Sequence, residues 1–441
     1  MNSSVLWSLL ATATNGAYVA LLFVGVAALT DIQSLGEFSW AFQLWMLLVL
    51  IGNFGGQTAA MVLAARLESP SAELWSVCIR IAFRWGLLVT VLVCVAVGAV
   101  SPLTDDSRVG LTFVLALSIP AQSVGRSLSG YVVGNGKIGL FSAWVFARAT
   151  LALALPLSVL WWSGDVLWLC GLLCTAEWIA TALLLWRTWP TAAVSSPERS
   201  CRRSVLEGEY RLNCRQLGWN SIVAEMSARI DLIIAGFVLS SADVGVYSLI
   251  STFGKMPLMV GQSFLRLLIP YFVSRHAFDV IVREHASATV DKIVAVLMLG
   301  AVLVFAAGLC FPNVISQSGF DDRYLVYSLL LYAVFSFQAS FGSIGAIFIA
   351  WGRADLQLLR QMLLLGFSAL FVFFGGTIGG LKGTVFGIAA AFFVHVALMP
   401  VFARVGFGLR GLGTMGMSCL VKLTPVFLGV CWLGCRGAIG D

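Results

Sequence analysis

Charged residues are rare in this 441-residue chain. Hydrophobic residues make up 59% of it and charged residues only 11%, whereas soluble domains carry about 25% charged residues. This composition excludes a soluble enzyme and indicates a protein that crosses the membrane many times. The formal net charge of +6 is typical of a membrane protein with a basic cytoplasmic face, and we expect no nucleic-acid partner.

Twelve apolar segments have the length that a helix needs to cross a bilayer. We predict an all-α polytopic membrane protein. The first segment is expected to be retained rather than cleaved as a signal peptide, because no basic region precedes it. The predicted spans are residues 5–30, 38–65, 79–102, 109–134, 139–163, 166–189, 217–239, 244–274, 290–312, 324–351, 356–378 and 383–403.

The spans fall into two groups of six. Residues 1–189 form a predicted N-terminal lobe and residues 217–404 a C-terminal lobe, joined by a polar, basic cytoplasmic linker over residues 190–216. Residues 405–441 form a tail, in which 411–435 is apolar enough for an extra helix. We expect that helix to lie at the interface or to pack against the protein rather than to span.

The distribution of Lys and Arg predicts the orientation. If the N-terminus is inside, only Arg108, Arg323 and Lys382 of the 27 Lys and Arg residues lie in predicted outer loops. Both termini are therefore predicted to be cytoplasmic.

The chain also repeats itself weakly at an offset of 209 residues, which relates Gly36 to Gly245. Two six-span halves with the same orientation are predicted to be related by an axis along the membrane normal, with a substrate site between them. The residues that coincide are Gly36 with Gly245, Phe38 with Tyr247, Ser39 with Ser248, Gly52 with Gly261 and Arg66 with Arg275.

Ionisable side chains within the spans are the candidate site residues, because charge at membrane depth is costly and usually faces a cavity or a partner. Cations outnumber carboxylates in this set, which predicts an internal cavity that binds an anion. The cations are Arg126, Arg148, Arg229, Lys255 and Arg266, and the carboxylates, which are also candidates for ion coupling, are Glu177, Glu225 and Asp231.

Several of these residues also have a structural interpretation. Arg229 follows Glu225 by four residues, so the two face the same way and favour an ion pair. Asp231 faces another way and is expected to bind a neighbouring helix. For Arg148 and Arg266 the alternative is snorkelling to the interface.

The remaining candidates also leave two interpretations open. Arg126 either binds substrate or only completes the packing around nearby glycines. Glu177 has no local partner and is interpreted as a coupling-ion carboxylate or a protonated acid. Lys255 precedes Met256 and Pro257, which predicts a kink beside it, and His395 is interpreted as a packed core residue.

Three stretches carry a resemblance to a known family. They are LGEFSWAF at residues 35–42, ARIDLIIAGFVLSSADVGVYSLIS at 228–251 and LIPYFVSR at 268–275. With the repeat and the number of spans, they resemble the Wzx-like O-antigen and exopolysaccharide flippases of the multidrug/oligosaccharidyl-lipid/polysaccharide (MOP) exporter superfamily. The resemblance implies two lobes in a bacterial inner membrane that move a polyprenyl-diphosphate oligosaccharide to the outer leaflet by alternating access.

The resemblance also implies the partners. We expect a lipid-linked oligosaccharide as substrate, membrane lipid around a monomer, and the polysaccharide polymerase machinery as a further partner. Arg229 and Lys255 are predicted to hold the diphosphate, since Arg forks match phosphate oxygens. We expect no enzymatic activity, no cofactor and no metal, because the sequence has no phosphate loop, nucleophile elbow or metal-binding motif.

Two other functions stay open. One is a cation-coupled multidrug exporter of the same superfamily, which is expected to have an acidic cavity for cationic substrates. The other is a membrane enzyme of the O-antigen ligase or polymerase type, which is expected to carry a large outer loop. The longest predicted outer loop, residues 313–323, is short.

Overall fold

The computed structural model describes residues 3–67, 71–100, 107–189, 198–258, 326–336 and 354–407, together with Tyr324 and Gln338. Within these ranges the regular secondary structure is helical. The chain divides into two compact units, Met1–Arg229 (unit 1) and Ile230–Asp441 (unit 2). The predicted span 290–312, Arg266 and the apolar segment 411–435 lie outside the described residues.

Twelve helices cover most of the described residues. Five of them are long and apolar enough to cross a membrane, or six if one bent pair counts as a span. The protein is therefore a multi-pass membrane protein, while the full number of spans and the side of the termini stay predictions. The helices are α1 (Ser3–Leu29), α2 (Ile32–Asn53), α3 (Gly56–Arg66), α4 (Ala72–Val100), α5 (Ser107–Ala116), α6 (Ile119–Gly134), α7 (Ile138–Ser163), α8 (Val166–Thr188), α9 (Glu198–Val238), α10 (Ser241–Gly254), α11 (Val326–Ser336) and α12 (Ala354–Phe407).

The predicted span 38–65 is broken into α2 and α3. Phe54 and Gly55 both take left-handed backbone angles, with φ of 36° and 75°. A β-carbon on Gly55 would stand 2.7 Å from the backbone of Gly218, so only glycine permits this approach to α9. The break brings the end of α2 into contact with α9.

The predicted span 109–134 is likewise two helices, α5 and α6, bent by 46°. Pro120 lies in the first turn of α6, where the backbone N–H that proline lacks would have no partner within the helix anyway. If α5 and α6 were one continuous helix, Pro120 would lie in its interior and remove a hydrogen bond. The hydropathy pattern does not register this bend because both halves are apolar.

Helix α6 lies at the centre of unit 1 and contacts α2, α3, α4, α7 and α8. Its backbone approaches α3 closely at Gly130, where a β-carbon would stand 2.0 Å from the carbonyl oxygen of Gln57. Asn53 fixes its position by donating to the carbonyl of Ser123 and to the hydroxyl of Ser127, both at 2.9 Å. Side chains of α6 are therefore held in a defined place.

Residues 198–216, most of the predicted linker, belong to α9, a helix of 41 residues. Tyr210 is fully buried, and its hydroxyl donates to the carbonyl of Gly56 at 3.2 Å. Arg80 of α4 forms an ion pair with Glu207. The helix thus packs onto unit 1 before it reaches the apolar segment that begins near residue 217.

In unit 2, α12 contains both predicted spans 356–378 and 383–403. The chain reverses at Gly380, which takes φ 55° and ψ −139°. A β-carbon on Gly383 would stand 1.9 Å from the carbonyl oxygen of Gly375, and one on Gly387 would stand 2.3 Å from that of Phe371. The two arms are therefore antiparallel and touch through their backbones.

The sequence repeat has a structural counterpart at the starts of α2 and α10. Asp31 caps α2 by accepting a hydrogen bond from the N–H of Ser34 at 3.0 Å, and Ser240 caps α10 by accepting one from the N–H of Asp243 at 3.2 Å. These caps are separated by the same offset of 209 residues. Phe38 and its repeat partner Tyr247 are both fully buried.

Candidate functional site

Arg148 and Glu177 form a buried ion pair between α7 and α8. The guanidinium donates from Nε to both carboxylate oxygens, at 2.9 and 2.8 Å, and its second nitrogen lies 2.7 Å from Oε1. The side chain of Glu177 is 1% exposed and that of Arg148 is 13% exposed. Tyr18 adds a ring 6.0 Å from the guanidinium. Bidentate geometry around a fully buried carboxylate indicates a structural pair.

Arg229 on α9 pairs with Glu225, as their spacing predicts, but this pair is looser. Both contacts measure 3.3 Å, and the side chains are 19% and 34% exposed. Arg229 also donates to the amide oxygen of Gln43 on α2. A long, accessible contact to a carboxylate leaves the guanidinium able to exchange that partner for another anion.

Arg126 on α6 differs from both. Among the described residues, its guanidinium has no hydrogen-bond or ion-pair partner, and the side chain stays partly accessible within unit 1. It lies within electrostatic reach of Glu225, Arg148, Arg229 and Glu177. A cation at this depth without a partner is costly.

These five residues form what we call the arginine cluster: Arg126, Arg148, Arg229, Glu177 and Glu225. Three guanidinium groups face two carboxylates, so the cluster carries a net charge of +1 when all five are ionised. The tight pair to Glu177 occupies Arg148. The positive excess therefore falls on Arg126 and, when Glu225 moves away, on Arg229.

Unit 2 holds a second charged network around Asp231. The ammonium of Lys255 donates to the Asp231 carboxylate at 2.8 Å, and the hydroxyl of Tyr247 donates to it at 2.7 Å. Ser251 adds a bond of 3.3 Å. Asp231 is 1% exposed and Lys255 is 17% exposed. Each charge is matched by its partner, so this network is neutral.

Lys255 also receives an aromatic neighbour, because its ammonium lies 5.7 Å from the ring centre of Phe335 on α11. Helix α10 ends at Gly254, and Lys255 leaves the regular helix just before Pro257. The break predicted near Met256 and Pro257 therefore occurs at Lys255.

The structure thus sorts the predicted site residues into two groups. Arg126, Arg148, Arg229, Glu177 and Glu225 belong to the arginine cluster of unit 1, and Asp231 and Lys255 belong to the network of unit 2. Arg266 lies outside the described residues. Sequence reasoning missed Gln43, a neutral residue whose role follows only from its contact with Arg229.

Arg360 belongs to an inner helix end by the charge distribution, but it is only 4% exposed. It lies within electrostatic reach of His395, on the second arm of α12. His395 is 2% exposed, and its core position agrees with its interpretation from sequence. In the part of the chain that the structure describes, no group of His, Cys, Asp and Glu residues is arranged to hold a metal ion.

Solved structures of other proteins show which known fold this chain shares. No family model matches the chain, and no curated protein sequence does. The lipid II flippase MurJ in an inward closed conformation superimposes with a TM-score of 0.68 at 11% identity, over 96% of this chain and 92% of that one. The chain therefore shares the fold of this flippase.

Multidrug transporters also share this fold. The MATE multidrug transporter DinF-BH matches with a TM-score of 0.63 at 17% identity, over 92% of this chain and 96% of that one. A point mutant of the Vibrio cholerae MATE transporter VcmN matches with a TM-score of 0.64 at 13% identity over the same shares. At these identities the likeness establishes the fold and does not separate flippases from drug exporters.

Proposed function

We propose that the protein is a flippase that moves a polyprenyl-diphosphate oligosaccharide from the inner to the outer leaflet of a bacterial inner membrane. The observation that carries this proposal is the net positive arginine cluster, in which Arg126 has no partner among the described residues. The diphosphate of such a lipid is the anion whose binding offsets the cost of that cation.

We assign different roles to the cations. Arg126 and Arg229 hold the diphosphate, because one has no described partner and the other has a long, accessible contact to Glu225. Arg148 positions the cluster through its bidentate pair with Glu177. Lys255, which the sequence also assigned to the diphosphate, is matched by Asp231 and acts as a structural residue in unit 2.

The transport cycle then follows from exchange of partners. Glu225 neutralises Arg229 in the empty protein, and the incoming diphosphate displaces it because a diphosphate offers more charge and more oxygen atoms to an Arg fork. The polyprenyl tail stays in the bilayer while the sugar crosses by alternating access. The fold of the lipid II flippase MurJ supports this role. The protein acts as a monomer and is not an enzyme. It delivers the lipid-linked oligosaccharide to the polysaccharide polymerase machinery.

The second candidate is a multidrug exporter for organic cations, which the shared fold of the MATE transporters favours. Such a substrate needs a carboxylate that is open to it. Glu177 and Asp231 are each 1% exposed and bound by Arg148 and Lys255. Glu225 is the more accessible carboxylate of the cluster, but it pairs with Arg229 and lies within electrostatic reach of Arg126.

Reconstituted vesicles separate the two functions. The purified protein is placed in liposomes with either a fluorescent polyprenyl-diphosphate oligosaccharide or a lipophilic organic cation. Transfer of the lipid to the protected leaflet, without transport of the cation, is the expected result. Cation transport in an ion gradient, with no transfer of the lipid, would establish the exporter instead.

A further inference from the structure

A second basic site lies at another place in unit 1. A cavity of about 450 Å³ opens where the end of α2 meets α4 and the first half of α9. We call it the basic pocket. Three arginines line it, Arg84, Arg211 and Arg215, and its lining contains no carboxylate.

The carboxylate that pairs with Arg211 does not neutralise the whole pocket. Glu207 is shared between Arg211, at 2.7 Å, and Arg80 of α4. Arg84 and Arg215 are both exposed and have no ion-pair partner among the described residues. Glu209 is two residues before Arg211 and therefore faces another side of α9. The pocket is thus left with at least two positive charges to be matched.

The aromatic residues Phe54 and Trp85 line the pocket, and Trp219 lies next to Phe54 outside its lining. The Phe54 ring stacks on Trp85, with 6.4 Å between ring centres, and meets Trp219 edge-on at 5.6 Å. Trp85 and Trp219 are 49% and 56% exposed. Exposed tryptophans beside arginines are typical of the layer where lipid headgroups meet the hydrocarbon core.

The surface of α4 shows where that layer lies. Its exposed apolar side chains begin at Phe83 and Trp85 and continue through Leu88, Leu92 and Val95. Arg80 lies on the other, polar side of this limit. The basic pocket therefore sits at the boundary of the apolar band, at the end of the bundle that the charge distribution assigns to the cytoplasm.

We propose that the basic pocket binds the headgroup phosphate of an anionic phospholipid. Arg84 and Arg215 bind the phosphate, and the acyl chains run along the exposed apolar side of α4 past Trp85. Basic pockets at this depth on the cytoplasmic side are suited to anionic headgroups. The site is separate from the arginine cluster, and its proposal does not depend on the transported substrate.

Lipid titration tests the site on the full chain. Purified protein in detergent is titrated with a fluorescent phosphatidylglycerol and with the matching phosphatidylcholine, and anisotropy reports binding. We expect Arg84→Gln/Arg215→Gln to weaken phosphatidylglycerol binding by about tenfold or more, because two charge-assisted hydrogen bonds are lost. Arg84→Lys/Arg215→Lys, which keeps both charges, should retain most of the affinity.

The matched control is Arg66→Gln/Arg187→Gln, which removes two exposed arginines from the ends of α3 and α8. It changes the net charge equally and should leave the affinity unchanged. Melting temperatures of all variants, measured first, separate folding from binding. An equal loss in both double variants, or no loss in the pocket variant, would overturn the proposal.

Two competitors identify the ligand class. Inorganic phosphate should not displace phosphatidylglycerol, since it lacks the acyl chains that contact α4. If phosphate competes as well as the lipid, the pocket is a free-anion site and the lipid assignment is wrong. If a polyprenyl diphosphate binds the pocket better than phosphatidylglycerol, the pocket belongs to the transport path and the assignment to bulk phospholipid is also wrong.

Discussion

The charged groups of the two units differ in how completely they are matched. In unit 2, Lys255 and Asp231 neutralise each other, and Tyr247 and Ser251 satisfy the carboxylate further. In unit 1, the arginine cluster keeps a positive excess on Arg126. We therefore propose different roles for similar residues within membrane helices, because a matched buried pair maintains structure whereas an unmatched cation favours a ligand.

The largest expected effect is on transport. Arg126→Ala and Arg229→Ala should each abolish transfer of the lipid-linked oligosaccharide, and the corresponding Lys variants should retain part of it because a point charge replaces the fork. Arg126→Ala should not lower thermal stability, since it removes a costly charge. Transfer in reconstituted vesicles and melting in detergent measure the two effects. Full transfer by Arg126→Ala at normal abundance would refute its role as a ligand.

The next effect is on stability and concerns the tight pairs. Glu177→Gln leaves Arg148 without its carboxylate, and Asp231→Asn does the same to Lys255. Each should lower the free energy of unfolding by about 3–5 kcal/mol, as expected when one partner of a buried pair is removed.

Double variants provide the control for the tight pairs. Arg148→Met/Glu177→Gln and Lys255→Met/Asp231→Asn remove both charges of a pair and should recover most of the stability. Thermal unfolding in detergent gives all four values. Single variants that melt like the wild type would show that these pairs are not structural.

A smaller effect concerns the repeat. Asp31→Ala and Ser240→Ala should each cost about 1 kcal/mol at neutral pH, because each removes a helix cap. Hydrogen bonds from Ser34 hold the pKa of the Asp31 carboxyl below its usual range. The stabilisation that the Asp31 carboxylate gives to the folded state is therefore fully present above its pKa in the unfolded chain, about 3.9. It is lost as the pH falls through the lower pKa of the folded state.

The pH dependence of this cap is measurable by melting between neutral pH and pH 3. The difference between wild type and Asp31→Asn should shrink as the pH falls, since Asn keeps an acceptor without the charge. A difference that stays constant over this range would show that the charge of Asp31 does not contribute to the cap.

Substitution of Glu225 is expected to change stability and transport least. Glu225→Gln breaks a partly exposed pair, so the free energy of unfolding should change by less than about 1 kcal/mol. Transport should fall only mildly, because Arg229 keeps its role as a ligand. Comparison with Glu177→Gln in the same assays tests the contrast between the loose and the tight pair within unit 1. Equal loss of stability in the two variants would remove that contrast.

Local patterns in the sequence predicted part of this arrangement. The four-residue spacing of Glu225 and Arg229 predicted their pair, and the offset of 209 residues found in the sequence also relates the helix caps Asp31 and Ser240. The apolar segments indicated the position of most described helices, and the fold shared with MurJ and the MATE transporters agrees with the fold that the resemblance implied. These features depend on neighbours within one or two helical turns.

The rest depends on contacts between distant segments. Glu177 finds its partner Arg148 on another helix, so no local pattern indicates the pair. The break at Phe54 and Gly55 depends on the approach of α9 and does not interrupt the apolar run. The isolation of Arg126 is also invisible in the sequence, because it follows from where all the neighbouring carboxylates point.

Ligand binding to purified protein tests the central claim most directly. The affinity for a polyprenyl diphosphate is measured for the wild type, for Arg126→Ala and for Lys255→Met/Asp231→Asn. We expect Arg126→Ala to weaken binding roughly 10- to 100-fold, as the loss of a charge-assisted hydrogen bond predicts, and the unit 2 variant to bind within about twofold of the wild type. Unchanged affinity in Arg126→Ala, with a large loss in the unit 2 variant, would place the anion site in unit 2 and contradict this account.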